Sequence, residues 1–249
     1  FFAYRYTLLI SLIPMAISSL LVIPMSSDPP AQHSSRLGFD NVRNWSFIGK
    51  YSTTVATVGL GAGMIVLFFN IFFSNVFQAD SSMIGLIFGI NTIVLAIGNF
   101  SAPALADRIG KVKTVVLTEA LSIPFLLMIA WSPFLYLAVV AYVSRTVLMN
   151  MAGPVSNAFF MEGLSKEERA TAVGIVRSGD SLVRGIAANI GGILLAAGLY
   201  RLPYILVSGL YVLAVILFYL FFRKEEKAMR AAQEAKMVIR ADEEIPEAT

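Results

Sequence analysis

The chain has 249 residues, 57% of them hydrophobic and only 14% charged, with a mean hydropathy of +0.74. A soluble domain carries about 25% charged residues, so this composition excludes an ordinary soluble domain and points to a bilayer. The net charge of +3 and pI near 9.2 do not indicate nucleic acid, because the basic residues fall in short loops between apolar runs and form no continuous stripe.

The sequence opens on Phe1, without the basic stretch and cleavage site of a signal peptide, and is expected to be a fragment of a longer protein. A bilayer core of about 30 Å needs about 20 apolar helical residues. Seven runs qualify, at roughly 7–25, 52–77, 83–106, 114–131, 133–158, 170–199 and 203–222. They are too long, and too free of polar–apolar alternation, for a β-barrel. The expected class is an all-α membrane protein, with a compact six-helix transmembrane bundle over about 47–222. The preceding helix, 7–25, is expected to pack loosely or on the outside.

After that first span comes "SSDPPAQHSSRLGFDNVRN", residues 26–44, whose Ser, Pro and Asn content marks a domain boundary. The next span carries Asn70, a phenylalanine group (Phe68, Phe69, Phe72, Phe73) that is either lipid-facing or core filling, and "GLGAG", 59–63. That glycine run is either a locally unwound stretch or a place where small residues let helices approach. Asn91 lies in the span at 83–106. A charged knot, "PALADRIGKVK" (103–113), joins that span to the one carrying Glu119, which is expected to belong to the loop charges. In the knot, Gly110 supplies a turn residue, Asp107 can sit at a neighbouring helix N-terminus, and the bases can pair with acids on adjacent loops.

Arg145 is about twelve residues into the span starting near 133, hence about 18 Å deep, and Asn150 follows it. The loop "MEGLSKEERA" (161–170) holds Glu162 and Arg169. Beyond it, Arg177, Asp180 and Arg184 have spacings of three and four, which place them on one helix face. Ionisable groups in a membrane span are expensive and point to function. Arg145 and the 177–180–184 stripe therefore either face a solute-filled cavity or form buried helix-to-helix bridges. Asp180 is expected to bridge to Arg177 or Arg184, with Arg145 the freer group. Asparagines in a span contact a ligand or bond a neighbouring helix.

Fourteen of the lysines and arginines fall on one side of the membrane, and only Arg5 and Arg201 on the other. By the positive-inside rule the tail from Arg223 is cytoplasmic and Phe1 lies outside.

The knot, with Leu105, Ala106, Asp107, Arg108, Gly110 and Lys111, resembles the loop signature of the major facilitator superfamily, roughly G-x-L-A-D-R-x-G-R-K. That signature stands between the second and third helices of each half of such transporters. Pro103 replaces the leading glycine and Val112 a basic residue, in keeping with the weaker copy of the second half. Glu162 and Arg169 resemble the partnering E-x6-R element, and "GIAANIGG" (185–192) the glycine-rich packing run of the eleventh family helix.

The resemblance covers essentially the whole chain. It implies that 1–25 is the last helix of the N-terminal half, 26–47 the central cytoplasmic loop, 48–222 the C-terminal six-helix bundle and 223–249 a cytoplasmic tail. It further implies secondary active transport of a small organic solute by alternating access across the cell membrane, as a symporter or antiporter that takes protons as one option. The partners would be the solute, the lipid bilayer and an N-terminal half of the same protein. Asp107, Arg108, Gly110, Lys111, Glu162 and Arg169 would form a cytoplasmic gate of ion pairs. Single surface pairs are worth about 0–1 kcal/mol, so only a network could bias such a gate. Family geometry favours Arg145 for the central cavity.

A seven-helix receptor or sensor is the alternative, weakened by the linker, the knot and the lack of a lysine in the last span. An enzyme is not expected. Zero cysteines and a single loop histidine, His33, leave no metal or catalytic constellation, and no cofactor or nucleotide-binding loop is implied.

Overall fold

A computed structural model describes residues 42–243, together with Leu12, Ile13, Ala16, Ile17, Ser18 and Leu20. The chain divides into two compact units, Phe1–Gly38 and Phe39–Thr249. In the first, the six described residues are helical and exposed. The rest of the expected helix 7–25, and the linker as far as 41, lie outside the described residues.

In the second unit, α1 (Trp45–Ile65) runs through a 3₁₀ turn (Val66–Phe68) into α2 (Phe69–Phe77). Next come α3 (Ser81–Ile109), α4 (Lys111–Trp131), α5 (Leu135–Asn150), α6 (Gly153–Glu162), α7 (Arg169–Ala196) and α8 (Leu202–Glu243). With α1–α2 and α5–α6 each continuing as one rod, the unit is a bundle of six rods. No strand occurs among the described residues. This is an all-helical membrane bundle.

Five rods are long and apolar enough to cross a membrane: Trp45–Phe77, Ser81–Ile109, Lys111–Trp131, Leu135–Glu162 and Leu202–Met229. The sixth, α7, has the length, at 28 residues, but Arg177, Asp180 and Arg184 all fall in its first two-thirds. Its expected span therefore rests on length and on an apolar second half, and it does not reach the hydropathy of the other five.

Local chemistry sets the boundaries. The Asn44 side chain accepts from Phe47 N–H at 3.4 Å, and the Asp80 side chain from Met83 N–H at 2.7 Å, so both cap helix starts. Gln78, left-handed at φ 54°, ends α2. Pro154 stands in the first turn of α6, where its missing N–H costs nothing. Pro103 and Pro124 sit inside α3 and α4, as membrane helices tolerate.

Helix α1 packs on α7 and α8, α4 on α5 and α8, and α3 on α5. Phe69, Phe72 and Phe73 are buried with Leu126, Tyr142 and Tyr211, so these phenylalanines fill the core and do not face lipid. A second cluster joins Phe47, Tyr51, Phe159, Phe160, Phe218 and Phe222; the Tyr51 and Phe160 rings stack with centroids 4.1 Å apart.

The glycine run 59–63 is helical throughout. A Cβ on Gly63 would stand 2.5 Å from the Arg184 carbonyl oxygen, and one on Gly191 2.2 Å from that of Met64. The small residues therefore serve close approach of α1 and α7, and the backbone irregularity falls just beyond them, at Val66–Phe68.

Candidate functional site

One end of the bundle gathers the charged loops. Helices α3 and α4 are joined by the single residue Gly110, at φ 103° and ψ 153°, a region of backbone space open essentially to glycine alone. No side chain of its own hairpin caps α4. Glu226 of α8 does so from a distance, accepting from the N–H groups of Lys111 and of Val112, the latter at 3.3 Å. The Lys111 ammonium meanwhile bonds Glu162, and Lys50 pairs with Glu225 at 3.5 Å.

The knot and the 161–170 loop thus lie side by side, but the pairs differ from the expected ones. Glu162 takes Lys111. Arg169 donates its Nε–H to the Met161 carbonyl at 3.0 Å. Asp107 and Arg108 are exposed and make no ion pair among the described residues. Asp107 lines a cavity of about 250 Å³ with Lys111, Glu162 and Glu226.

The strongest anchor at this end is Glu168, which sequence reasoning passed over. It is 3% exposed, and its carboxylate accepts from the N–H groups of Arg43 and Asn44 (the latter at 2.9 Å), from Ser165 N–H at 3.2 Å and from Ser165 Oγ–H at 2.8 Å. The Asn44 N–H bond leads in holding its pKa down to about 2, against the opposing cost of burial and with further help from Arg43 and Ser165. The signal was present as Ser165-x-x-Glu168, the pattern of a capping box.

Deeper in the bundle, Arg145 is 2% exposed and is not free. It donates to the Tyr211 hydroxyl, with its guanidinium 5.4 Å from the Tyr211 ring centroid and 5.8 Å from that of Phe69. Its buried Nε has no hydrogen-bond partner among the described residues. Asp180 pairs with Arg184, Nε to Oδ2 at 2.7 Å, and its other oxygen is buried without a hydrogen-bond partner among the described residues. Arg177 is exposed and stands outside that pair.

Glu119, expected among the loop charges, instead lines a cavity of about 90 Å³ with Arg184, Thr54, Ser156 and Phe218. Helices α1 and α6 supply its hydroxyls: Thr54 donates to the Tyr51 carbonyl at 2.8 Å, and Ser156 bonds the Tyr51 hydroxyl at 2.9 Å. The cavity thus holds one fixed cation, one carboxyl group and two hydroxyl side chains, a set able to hold water and an exchangeable proton.

The asparagines scatter. Asn70 and Asn150 are exposed, and Asn150 donates to its own helix at the Thr146 carbonyl, at 2.6 Å. Asn91 is buried, and its side-chain oxygen has no hydrogen-bond partner among the described residues.

No curated protein matches the sequence. The family model described as Major Facilitator Superfamily matches residues 51–244, a stretch that holds the knot, the glycine seam of α1 and α7, and the buried charges alike. The chain therefore belongs to the Major Facilitator Superfamily, and the protein is a multi-pass membrane transporter of that family.

Proposed function

We propose that the chain is the C-terminal half of a secondary transporter that moves a small organic solute (a metabolite, sugar, organic anion or drug) across the cytoplasmic membrane by alternating access. In this reading 1–25 is the last helix of the other half, 26–47 the central loop, 48–222 the bundle and 223–249 the tail. The basic end is cytoplasmic, in line with fourteen lysines and arginines against two. Glu162, Lys111, Arg169, Asp107, Arg108 and Gly110 form the gate on that side. Arg145, Arg177, Asp180, Arg184, Asn70, Asn91 and Asn150 are the candidates for solute or coupling. Arg177 and Asn70, both exposed, are the candidates to meet the other half or the solute between the halves.

The observation that carries the reading is the cavity shared by Glu119 and Arg184, with Arg184 bridged in turn to Asp180. Polar groups inside a membrane need partners or water, and buried Asp180 Oδ1 and Arg145 Nε have no hydrogen bond among the described residues. A second conformation that supplies those partners is what alternating access provides. At about 90 Å³ the cavity suits a few waters, so Glu119 is assigned to coupling by proton exchange and the solute to the surface shared with the other half.

The test is uptake by the full-length protein in proteoliposomes, across a panel of organic acids, sugars and amines, with and without a pH gradient. Glu119→Gln should abolish gradient-driven accumulation while leaving exchange of solute intact. Arg184→Ala and Arg145→Ala should abolish both without loss of membrane insertion. Normal accumulation by all three variants would overturn the assignment.

A further inference from the structure

We propose that the end of the seam between α4 and α8 is a binding site for the headgroup of an anionic phospholipid. A cavity of about 420 Å³ opens there, lined by Lys113 of α4 and by Tyr219, Arg223, Lys224, Glu226 and Lys227 of α8. Four cations face it against one carboxylate, and that carboxylate is already bonded to the Lys111 and Val112 N–H groups. The neighbouring Glu225 is taken by Lys50. None of the four cations forms an ion pair among the described residues. The Arg223 guanidinium lies 5.5 Å from the Tyr219 ring centroid, and both side chains line the cavity.

What makes the occupant a lipid is the surface below the cavity. Along α4, Lys113 is followed at helical spacing by Leu117 and Leu121, 44% and 47% exposed. Along α8, Arg223 is preceded by Tyr219, Ile216 and Val212, 38%, 49% and 44% exposed. Residues spaced by three and four share one helix face, so two apolar stripes run down from the cavity on packed helices. The apolar run of α8 ends at Phe222, which sets the basic cluster at the level of lipid phosphates. Basic pockets between membrane helices at that level suit phosphate headgroups, and the stripes suit the acyl chains.

The experiment uses the purified full-length protein in detergent, titrated separately with phosphatidylglycerol, phosphatidylcholine and inorganic phosphate, with bound adducts resolved by native mass spectrometry. One phosphatidylglycerol should be retained more tightly than phosphatidylcholine. Arg223→Gln and Lys227→Gln should each weaken it about fivefold, and the pair about 25-fold. Arg201→Gln, at the opposite end of α8, should leave it unchanged. Melting temperatures of all variants are measured alongside; should the pair unfold, the exposed Lys224→Gln takes its place, with the same fivefold loss expected. Equal retention of phosphatidylcholine, or native phosphatidylglycerol binding by the variants, would overturn the proposal. So would inorganic phosphate binding as tightly as phosphatidylglycerol, which would make the cavity a soluble-anion site.

Discussion

Glu168 and Asn44, 124 residues apart in sequence, are joined by a hydrogen bond of 2.9 Å from the Asn44 N–H to the Glu168 carboxylate. The loop before α7 thereby holds the entry of α1, where unpaired backbone N–H groups and the positive end of the helix dipole favour a negative charge.

The bond makes stability depend on pH in a definite direction. The Glu168 carboxyl, ordinarily near 4.5, titrates at about 2 when folded. A group whose pKa is lowered by folding contributes stability above its unfolded value and loses it as pH falls through the folded value. Glu168→Gln should therefore lower stability by about 3 kcal/mol near neutral pH. Its melting temperature should approach that of the native chain as pH falls from about 4.5 toward about 2. Equal melting temperatures at neutral pH would sink the anchor.

Gly110 carries the whole turn between α3 and α4 at φ 103°. An alanine there is strained by about 1–3 kcal/mol, and the strain reaches the Lys111 and Val112 N–H groups that Glu226 binds. Gly110→Ala should lower the melting temperature, whereas Gly85→Ala, where a Cβ meets nothing within 4 Å, should not. A wild-type melting temperature for Gly110→Ala would contradict the observed backbone.

The seam of α1 and α7 makes the sharper packing prediction. Gly191→Ala would drive a methyl group into the Met64 carbonyl; the helices must separate, at a cost of about 1–3 kcal/mol for overpacking. Gly185→Ala, on the same helix but facing open space, should be neutral or slightly stabilising. Equal yields of folded protein from the two variants would show that the seam is looser than described.

Tyr211→Phe removes the acceptor that the buried Arg145 guanidinium uses. Leaving a charged donor without its partner costs about 1–3 kcal/mol. Arg145→Ala in the same background should then add less destabilisation than it does in the native chain, because the two share one interaction. Strict additivity in that double-mutant cycle would show that the hydrogen bond contributes nothing.

Five of the six rods were legible in the sequence because hydropathy alone, over windows of about 20 residues, reports them; α7, with Arg177, Asp180 and Arg184 in its first two-thirds, was legible by its length and its apolar second half. Gly110 was legible as a turn because glycine and flanking charges punctuate two apolar runs. Pairings were less so. Lys111 with Glu162 joins loops that the sequence marks only as charged, and the choice of Lys111 over Arg169 depends on where α6 ends. Arg145 reads as a free intramembrane cation because Tyr211, 66 residues away, carries no mark of being its acceptor. Glu119 stands near a helix start in sequence, yet it turns toward the cavity that Arg184 also lines, a matter of helix rotation that apolar residues on every face leave undetermined.

The closeness of α1 and α7 bears on tightness. A membrane transporter is useful only if small ions do not slip past its cargo, and a continuous file of water is enough to carry protons. Where Gly63 lies against the Arg184 backbone and Gly191 against that of Met64, no water molecule fits between the two main chains. At those two points the seam admits no file of water, and the water-sized space that the bundle keeps lies beside it, in the cavity lined by Thr54, Glu119 and Arg184.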